Sequence, residues 1–337
     1  MNIWLPYIAA GTGADVSTVA LADGLRDRGH RVTAQAFPHA FELAPWLLRT
    51  VRPPRGCEVT ITNTWNGFAF KRPGIPMVTV ERLFVLDPAL APYKSRAQRF
   101  YHEQVIRRFV IASAKRADAV VAVSEYTANV FAERLGVPRP TVILNAVDTN
   151  FFSPAPNALR ATPRPPYRLL YVGTLSRRKG SDLLAPIMRR LGSDFQLYYT
   201  GSPAAPALGR DLPHNMHALG RLNLEQVRDQ YRKADLLLFP SRGEGLARCI
   251  MEALACGTPV VISNVSSMSE AVDATVGRLC ITDDAAAFGA AVLSLLDNPE
   301  SLTSRRGSAR RRAEERFSLD RMVSDWDSLL YQMKTKA

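Results

Sequence analysis

Two glutamates, Glu244 and Glu252, stand in a stretch at residues 241–263 that reads SRGEGLARCIMEALACGTPVVIS. Glu244 lies in a turn between glycines, and Glu252 lies in an apolar helix that is expected to stop at Gly257, before a buried strand. The amide groups between the two acids, at residues 246–248, would be free at the helix N-terminus. With the helix dipole they form an anion site suited to a diphosphate. Because each carboxylate could accept hydrogen bonds from a sugar on its side of that diphosphate, the stretch predicts a nucleotide-sugar site.

The helix around Glu252 leaves open what its carboxylate binds. A carboxylate buried among apolar residues is costly unless it is hydrogen bonded, so Glu252 needs a partner. Arg248, four residues earlier, offers an ion pair that contributes about 0.2–0.5 kcal/mol at this helical spacing. The hydroxyl groups of a sugar offer the alternative, and they add no second charge to the buried site.

Three consecutive cations, Arg177, Arg178 and Lys179, lie in the segment GTLSRRKG at residues 173–180, between a predicted strand and a predicted helix. Like charges in one turn repel each other unless an anion lies between them, and ligands of open α/β sheets bind at the carboxyl ends of strands. A phosphate is the counter-charge that this turn favours. A solvated surface turn without a ligand is the alternative interpretation.

A second glycine-rich turn, Gly11-Thr12-Gly13, follows the first predicted strand. The dinucleotide fingerprint needs a third glycine where this chain has Val16, so the turn gives little support for NAD. Gly13 could still allow a phosphate or an acceptor to approach the backbone. A tight turn without a ligand is the alternative here too.

The elements that must position these residues alternate between strands and helices in both halves of the chain. Strand-like runs recur from residues 2–9 to residues 259–263, with helical patterns between them, among them runs at about residues 40–50, 95–115 and 125–135. This alternation predicts an α/β fold with parallel sheets. Five prolines in the aperiodic segment at residues 151–167 mark a connection between two domains. We therefore divide the chain into an N-terminal domain, a linker, a C-terminal domain and a last helix, at residues 1–152, 153–166, 167–317 and 318–337.

Composition narrows the classes of function. The 337 residues carry a net charge of +12, which suits a nucleic acid, an anionic membrane or a phosphorylated substrate, or follows from composition alone. No nucleic-acid-binding motif accompanies the charge, which is spread through both halves, so a nucleic-acid-binding protein is a remote alternative and the expected partners include no nucleic acid.

The cysteines and the hydropathy pattern predict the compartment. The four cysteines form no CxxC pair and are expected as free thiols, which suits the cytoplasm. The N-terminus lacks the basic region of a signal peptide, and no apolar run approaches the ~20 residues of a membrane span. We therefore expect a protein that is neither secreted nor membrane-spanning.

Together, these motifs resemble the retaining glycosyltransferases of the GT-B fold, family four, also described as glycosyl transferases group 1. The resemblance is carried most specifically by Glu244 to Glu252 with the following ALACGTPVV, and by VGTLSRRKG. More diffuse matches, which extend it over nearly the whole chain, are LADGLRDRGHRV, NAVDTNFF, ADLLLFPS and SLDRMVSDW.

The resemblance implies two Rossmann-like domains whose parallel sheets face a central cleft. The N-terminal domain would bind the acceptor, and the C-terminal domain would bind the nucleotide sugar. The last helix, at about residues 318–335, would pack back on the N-terminal domain.

The resemblance also implies roles for single residues. Glu244 would contact hydroxyls of the donor sugar, Glu252 would bind the ribose, and Lys179 with Arg178 would neutralise the leaving diphosphate. These cations carry the charge that a metal would otherwise carry, so neither a metal nor another cofactor is implied. The catalytic candidates are Lys179, Arg178 and Glu244. The donor-binding candidates are Gly13, Gly173, Thr174, Arg178, Lys179, Gly201, Arg221, Leu222, Ser241, Glu244, Gly245, Leu246, Ala247 and Glu252.

Three positions depart from the family pattern. Thr174 stands where an arginine is common, so Arg178 is expected to take that role, and Ala146 replaces a usual glycine. In VTVERLF, Glu81 and Arg82 stand where many relatives carry a histidine near the reacting sugar. The acceptor-side candidates are therefore Glu81, Arg82 and Asn63.

The resulting hypothesis is a retaining transferase that moves a hexose from a UDP or GDP sugar to a glycan or lipid-linked acceptor, in bacterial lipopolysaccharide or exopolysaccharide synthesis. Front-face departure of the nucleoside diphosphate, with electrostatic stabilisation of the leaving group, is the mechanism that the resemblance favours. A nucleotide-sugar epimerase or a phosphorylase of the same fold is the alternative.

The helical region from Lys94 to Arg116 combines arginines with aromatic residues. It could dock on anionic lipid and hold a cytoplasmic enzyme at the inner face of the cytoplasmic membrane. An ordinary amphipathic helix with solvated arginines is the alternative.

Overall fold

The computed structural model of the protein describes residues 1–156, 164–297 and 299–336. Residues 157–163 of the predicted linker and Ala337 of the predicted last helix lie outside the described residues. The strands are β1 (Asn2–Ile8), β2 (Arg31–Phe37), β3 (Val59–Asn63), β4 (Met77–Glu81), β5 (Ala119–Ala122), β6 (Thr141–Val142), β7 (Tyr167–Tyr171), β8 (Phe195–Tyr199), β9 (Met216–Ala218), β10 (Leu236–Phe239), β11 (Val260–Ser263) and β12 (Gly277–Cys280). The helices are α1 (Gly13–Asp27), α2 (Arg96–Tyr101), α3 (Arg107–Arg116), α4 (Glu125–Leu135), α5 (Ser181–Leu191), α6 (Leu224–Lys233), α7 (Arg248–Ala255), α8 (Met268–Ala271), α9 (Ala285–Leu296), α10 (Pro299–Phe317) and α11 (Leu319–Lys336).

Two compact units divide the chain, and each contains one six-stranded sheet. The first unit combines Met1–Ala146 with Leu319–Ala337, and its strands follow the order β2-β1-β3-β4-β5-β6. The second unit is Val147–Ser318, and its strands follow the order β12-β11-β10-β7-β8-β9. Every paired strand in both sheets is parallel to its neighbour. The predicted α/β class with two Rossmann-like parallel sheets is therefore confirmed.

The central strands are apolar on both faces, as parallel strands covered by helices on both sides must be. All residues of β10, which reads LLLF, and of β11, which reads VVIS, are buried. Ser241 follows Pro240 at the carboxyl end of β10, and Asn264 follows β11, so the ends of these strands position the candidate site.

The last helix of the chain, α11, packs against α1 within the first unit. A Cβ at Gly24 of α1 would meet a side-chain atom of Val323 at 2.4 Å, so the close approach of the two helices depends on glycine at this position. The buried His30 ring, just before β2, lies 2.6 Å from a carboxylate oxygen of Asp327. Apolar packing and one polar contact thus hold the last helix to the unit that contains the N-terminus.

The basic helix α10 uses its arginines inside the second unit. Arg306 is buried and pairs with Asp235 at 2.9 Å. Arg310 donates to the carbonyl oxygens of Thr149, Phe152 and Ala255, at 2.8–2.9 Å. A large part of the positive charge of this segment therefore stabilises the fold and is not displayed for a partner.

Two helical segments of the first unit differ from the sequence pattern. Residues 40–50, predicted as a helix, form two separate 3-10 helices at His39–Glu42 and Pro45–Thr50. Pro45 begins the second of them, because its ring cannot continue a preceding helix. Between α2 and α3 the helix continues through a π turn at His102–Ile106.

The thiols and the hydropathy of the helices bear on the expected compartment. All four cysteines are free, and three of them are buried. Within the part of the chain that the structure describes, no helix combines the length and the apolar character that crossing a membrane requires.

Candidate active site

The cationic turn, residues 173–180, connects the end of β7 to the start of α5. The Tyr171 hydroxyl lies within hydrogen-bonding distance of the carbonyl oxygens of Thr174 and Lys179, at 3.2 and 3.3 Å. Burial raises the pKa of Tyr171, so this hydroxyl stays a donor. Gly180 has a φ of +70°, and a Cβ there would lie 1.9 Å from the carbonyl oxygen of Pro240. The turn is therefore fixed by hydrogen bonds from the Tyr171 hydroxyl and by a close contact between Gly180 and the backbone of Pro240 that only glycine permits.

The acid loop, residues 241–247, connects β10 to α7. The backbone amide of Glu244 donates to Ser266 Oγ at 3.0 Å, and Ser267 Oγ donates to the carbonyl oxygen of Glu244 at 3.1 Å. Both serines belong to the segment after β11. Sequence reasoning missed them, since nothing in the local pattern around Ser266 or Ser267 indicates a partner 22 or 23 residues away.

Three donors from the two loops converge on one oxygen of the buried Glu244 side chain. Its Oε1 lies 2.6 Å from Lys179 Nζ, 2.7 Å from Ser241 Oγ and 3.3 Å from Arg178 Nη1. Arg178 also donates to the carbonyl oxygen of Gly243 at 2.7 Å, whereas Arg177 is exposed. The structure thus brings together Lys179, Arg178, Ser241 and Glu244.

The electrostatics of this cluster follow from its contacts. Burial alone would raise the pKa of Glu244, but the charges of Lys179 and Arg178 outweigh it and hold the pKa below its usual value. Glu244 is therefore an ionised carboxylate paired with two cations. Donors that converge on one anionic oxygen can also donate to an oxygen of a phosphate.

The helix α7 begins just beyond the acid loop, with Ala247 at its N-cap. The methyl side chain of Ala247 cannot make a capping hydrogen bond, and Leu246 and Ala247 are both buried. The partial positive charge at the start of the helix therefore adds to the cations of the turn. Gly245, Leu246 and Ala247 occupy the position between the two acids that the sequence indicated.

Glu252, inside α7, has protein partners for both carboxylate oxygens. Arg248 Nη2 lies 3.1 Å from Oε1, and the Tyr231 hydroxyl donates to Oε2 at 3.1 Å. Of the two interpretations for this residue, the structure contains the ion pair with Arg248. Tyr231 was not indicated by the sequence, because it lies 21 residues earlier, on α6.

The ends of three neighbouring strands place the remaining donor-side candidates side by side. The amide of Gly173 donates to Thr200 Oγ1 at 3.0 Å, and the amide of Gly201 donates to the carbonyl oxygen of Gly220 at 2.8 Å. Gly201 has a φ of +106°, and a Cβ there would lie 2.7 Å from Leu175, so this position needs glycine. Beyond these strand ends, the exposed candidates are Thr174 and Arg221, and the half-buried candidate is Leu222.

Two acceptor-side candidates follow β4 in the first unit. Glu81 is 2% exposed, accepts a hydrogen bond from Thr64 Oγ1 at 2.6 Å and accepts another from the amide of Leu83 at 3.2 Å. Burial raises the pKa of Glu81 to about 7, although both hydrogen bonds oppose the change. Burial also lowers the pKa of Arg82 to about 10, and its Nε has no hydrogen-bond partner among the described residues.

The other two candidates of the first unit serve local structure. Asn63 Oδ1 accepts the amide of Asn66 at 3.1 Å and so closes a turn. Gly13 is the first residue of α1, and the turn before it is filled by Asp15, whose carboxylate accepts the amides of residues 10, 11 and 12. The tight-turn interpretation therefore describes this segment. Gly13 lies in the first unit, and the other donor-side candidates lie in the second.

Within the described residues, no group of three or more His, Cys, Asp or Glu side chains is arranged so that it could hold a metal ion. The candidate site instead carries its positive charge on Lys179 and Arg178.

Two family models match the chain. Residues 37–151 match the model described as Glycosyltransferase Family 4, and residues 166–298 match the model described as Glycosyl transferases group 1. The two matches divide between the two units described above.

Curated relatives and solved structures are similar to this chain over different lengths. Glycogen synthase of Mycobacterium tuberculosis strain H37Rv is 31% identical over 204 residues, which cover 58% of this chain and 47% of that protein. The lipopolysaccharide core biosynthesis mannosyltransferase LpsB of Rhizobium meliloti is 29% identical over 227 residues, covering 61% and 63%. The Anabaena protein HepE, solved in complex with UDP and glucose, superposes with a TM-score of 0.77 at 17% identity, covering 98% of this chain and 99% of HepE.

These likenesses differ in what they establish. The chain spans about half to somewhat under two thirds of the length of the curated relatives it matches. The structural likeness shows the fold, and it confirms the predicted GT-B type. With both family models matched in consecutive order, the chain belongs to the family-four glycosyltransferases of glycosyl transferases group 1.

Proposed function

We propose that this protein is a retaining glycosyltransferase that moves a hexose from a nucleoside-diphosphate sugar to a glycan or lipid-linked acceptor. The observation that carries the proposal is the convergence of Lys179, Arg178 and Ser241 on one oxygen of Glu244. A cluster that holds one anionic oxygen between two cations can hold a phosphate oxygen in the same way. The N-terminus of α7 lies next to it in the chain and adds positive potential for a diphosphate.

In the proposed reaction, the bond between the sugar C1 and the diphosphate oxygen breaks, and an acceptor oxygen attacks C1 from the same face. The electron pair of the broken bond leaves with the nucleoside diphosphate, and an oxygen of that diphosphate takes the proton that the acceptor hydroxyl loses. Lys179 and Arg178 stabilise the charge that develops on the leaving oxygen, which is the main catalytic term and takes the place of a metal ion. Glu244 contacts hydroxyls of the donor sugar, and Glu252 binds the ribose.

The donor is proposed to be a UDP or GDP hexose. The fold shared with HepE, solved with UDP and glucose, supports UDP as the first nucleotide to test. A thermal-shift screen against UDP, GDP and ADP measures which nucleotide stabilises the protein, since a ligand that binds only the folded state raises its apparent stability. We expect one nucleotide to raise the melting temperature of the wild type and to have a smaller effect on Lys179→Ala. No shift with any of the three would contradict the proposal.

Transfer is distinguished from its alternatives by the products. An epimerase changes the sugar of the donor without an acceptor, and a phosphorylase requires inorganic phosphate. We expect nucleoside diphosphate to be released only when a glycan or lipid-linked acceptor is added, with retained configuration in the product. The likeness to LpsB supports acceptors from the lipopolysaccharide core as the first set to test, with exopolysaccharide intermediates as the second.

We further propose that the first unit associates with the inner face of an anionic membrane. Two segments of that unit, residues 39–55 and 94–116, are completely described, and each contains one carboxylate, Glu42 and Glu103, which is half-buried and paired with His39 or Arg134. Their exposed cations are Arg49, Arg52, Arg55, Arg96, Arg99, Arg108, Lys115 and Arg116. Positive charge of this density attracts anionic lipid at about 1 kcal/mol for each residue near the surface.

An apolar projection lies within the same surface. Leu43, Trp46 and Leu47 are 72%, 47% and 57% exposed, and the Trp46 ring contacts Phe109 of α3. Exposed apolar side chains surrounded by cations are typical of segments that lie in a membrane interface. This observation favours docking over the ordinary solvated helix for residues 94–116.

Flotation with vesicles tests the association. We expect the wild type to float with phosphatidylglycerol-containing vesicles and not with pure phosphatidylcholine, and we expect Trp46→Ser with Leu47→Ser to weaken flotation. Ile281→Ser, which removes an apolar side chain of the second unit that is 71% exposed and so more exposed than Trp46 or Leu47, is the control. Absence of flotation for the wild type would remove the membrane from the proposal and leave the transferase activity unaffected.

A further inference from the structure

Arg242 is a buried cation in the acid loop, two residues before Glu244, and it is 4% exposed. Its Nη1 and Nη2 bind the two carboxylate oxygens of Asp182 at 2.6 and 2.9 Å, and its Nε binds Asp283 at 2.5 Å. Nη1 also donates to the carbonyl oxygen of Arg177. One guanidinium therefore joins the acid loop to the cationic turn, to the first turn of α5 and to the segment after β12.

The backbone beside this guanidinium makes a second connection to the same turn. The amide of Arg242 donates to the carbonyl oxygen of Arg178 at 2.8 Å, and Ser241 Oγ lies 3.3 Å from the same oxygen. The carbonyl oxygens of residues 177 and 178 are thus both held from the acid loop. These residues directly precede Lys179, so the positions of Arg178 and Lys179 depend on this connection.

The charge around Arg242 separates its role from those of Arg178 and Lys179. Burial alone would lower the pKa of Arg242, but the hydrogen bonds and charges of Asp182 and Asp283 raise it. Since two carboxylates already compensate the guanidinium, and its three nitrogens all donate to protein oxygens, Arg242 is not available as a further phosphate ligand. It acts on the site through the turn that it holds.

The third anchor, Asp283, adds an independent observation. Its backbone has a φ of +67°, in the left-handed region that few residues other than glycine adopt, although aspartate adopts it more readily than most. Such a conformation persists where surrounding contacts determine it. The ion pair with Arg242 is one such contact, and it connects the segment after β12 to the cationic turn.

We infer that Arg242 is a positioning residue for the donor site: it fixes the cationic turn against the acid loop so that Lys179 and Arg178 face the same anion. The inference rests on the proposed function for the role of those two cations. It adds a residue that touches neither the donor nor the acceptor and yet sets the affinity for the diphosphate.

The test compares Arg242→Lys with Arg306→Lys. The first variant keeps the charge and loses the planar fork that joins two carboxylates and a carbonyl oxygen. The second disturbs another buried ion pair of the same unit, Arg306 with Asp235, which lies just before β10 and so at the end of that strand opposite to the acid loop. The melting temperatures of both variants are measured first, so that their nucleotide binding is compared at a similar loss of stability.

We expect Arg242→Lys to weaken binding of the nucleoside diphosphate and to lower kcat, each by about tenfold, because small displacements of charged groups are costly in a preorganised site. Arg306→Lys should change neither by more than about twofold, as is usual for a distant site. Added ethylguanidinium should partly restore binding to Arg242→Ala and should not restore it to Lys179→Ala. Equal losses in the two lysine variants, or wild-type binding in Arg242→Lys, would overturn the inference.

Amide hydrogen exchange provides a readout that needs no nucleotide. We expect faster exchange at residues 178–181 in Arg242→Lys and not in Arg306→Lys. If the wild type binds no nucleoside diphosphate, the proposed function fails, and the exchange measurement still decides the positioning role. Unchanged exchange at these residues would overturn it.

Discussion

Each unit contains a buried glutamate at or beyond the carboxyl end of a parallel strand, and the surroundings of the two side chains shift their pKa values in opposite directions. Glu244, beyond β10, is paired with Lys179 and Arg178, and these charges lower its pKa. Glu81, at the end of β4, accepts hydrogen bonds from Thr64 and from backbone amides, and burial raises its pKa to about 7 although the neighbouring charge of Arg82 opposes the change. The same residue type, buried near the carboxyl end of a strand in each unit, is therefore an anion in one unit and a group that titrates near neutrality in the other.

This difference teaches what each unit can contribute. A permanently ionised carboxylate surrounded by cations marks a site for charge exchange with a phosphate. A carboxyl group that can carry its proton at neutral pH suits a site where a neutral hydroxyl has to be bound or deprotonated. The predictions below test this contrast, from the largest expected effect to the smallest.

Removal of Lys179 should have the largest effect. Lys179→Ala leaves Arg178 as the one described cationic partner of Glu244 and removes a charge that stabilises the leaving group. We expect kcat to fall by about 100-fold or more, equal to ~2.7 kcal/mol, with a smaller change in nucleotide affinity. Steady-state kinetics at saturating donor measure this, with the exposed Lys233→Ala as control. Unchanged turnover in Lys179→Ala would contradict the assignment.

Glu81 should make the stability of the protein depend on pH. Its folded-state pKa of about 7 lies above the ordinary value of 4.5, so the folded protein favours the protonated form. Its contribution is fully present below pH 4.5 and is lost as the pH rises from 4.5 through 7, which amounts to about 2.5 kcal/mol between pH 5 and pH 8. Glu81→Gln should therefore lose this dependence.

Urea titrations at pH 5 and pH 8 check the prediction. The unfolding free energy of the wild type, relative to that of Glu81→Gln, should be lower at pH 8 than at pH 5. A difference that is the same at both pH values would show that Glu81 titrates normally, and the contrast with Glu244 would then disappear.

Glu244 should compete with the phosphate for its own cations. In Glu244→Gln the side chain loses the charge that pairs with Lys179 and Arg178, so both cations become more available to an anion. We expect free nucleoside diphosphate to bind about fivefold more tightly, equal to ~1 kcal/mol, while turnover falls because the sugar contact is impaired. Calorimetry measures the affinity, and the exposed Glu225→Gln is the matched control. Weaker binding in Glu244→Gln would exclude competition.

The smallest expected effect concerns Thr64. Its hydroxyl is the hydrogen-bond donor that lowers the pKa of Glu81, so Thr64→Val should move the titration of Glu81 to higher pH. Loss of this one buried hydrogen bond should cost about 1 kcal/mol at pH 8, where the carboxylate is ionised. The double variant Thr64→Val with Glu81→Gln should show no further pH dependence. A shift that persists in the double variant would assign the titration to another group.

The sequence predicted the fold class because alternating strand and helix patterns are local signals. It also indicated that the cationic turn and the acid loop would lie near each other, since both follow predicted strands and parallel strands end at the same edge of a sheet. The helix predicted at residues 40–50 was wrong, because the apolar pattern there did not reveal that Pro45 would begin a separate 3-10 helix.

What the sequence could not predict depends on contacts between distant segments. The acid loop is contacted by Ser266 from the segment after β11 and by Asp283 from the segment after β12, and α7 is contacted by Tyr231 from α6. The types of these residues are ordinary for surface or core positions. The pKa of Glu81 depends on complete burial, which a residue list does not contain. The ion pair of Glu252 with Arg248 was open from spacing alone, and coordinates were needed to find it together with Tyr231.

The glycines of the cationic turn have unequal consequences for how the site can vary. A Cβ at Gly173 would meet its nearest neighbours at 3.5 Å, an ordinary contact, whereas a Cβ at Gly180 would overlap the carbonyl oxygen of Pro240. In a saturation library, residue 173 should therefore accept alanine and residue 180 should accept almost nothing. Efforts to redirect donor preference can use the first position as a site of variation, and they have to treat the second as a fixed point of the scaffold.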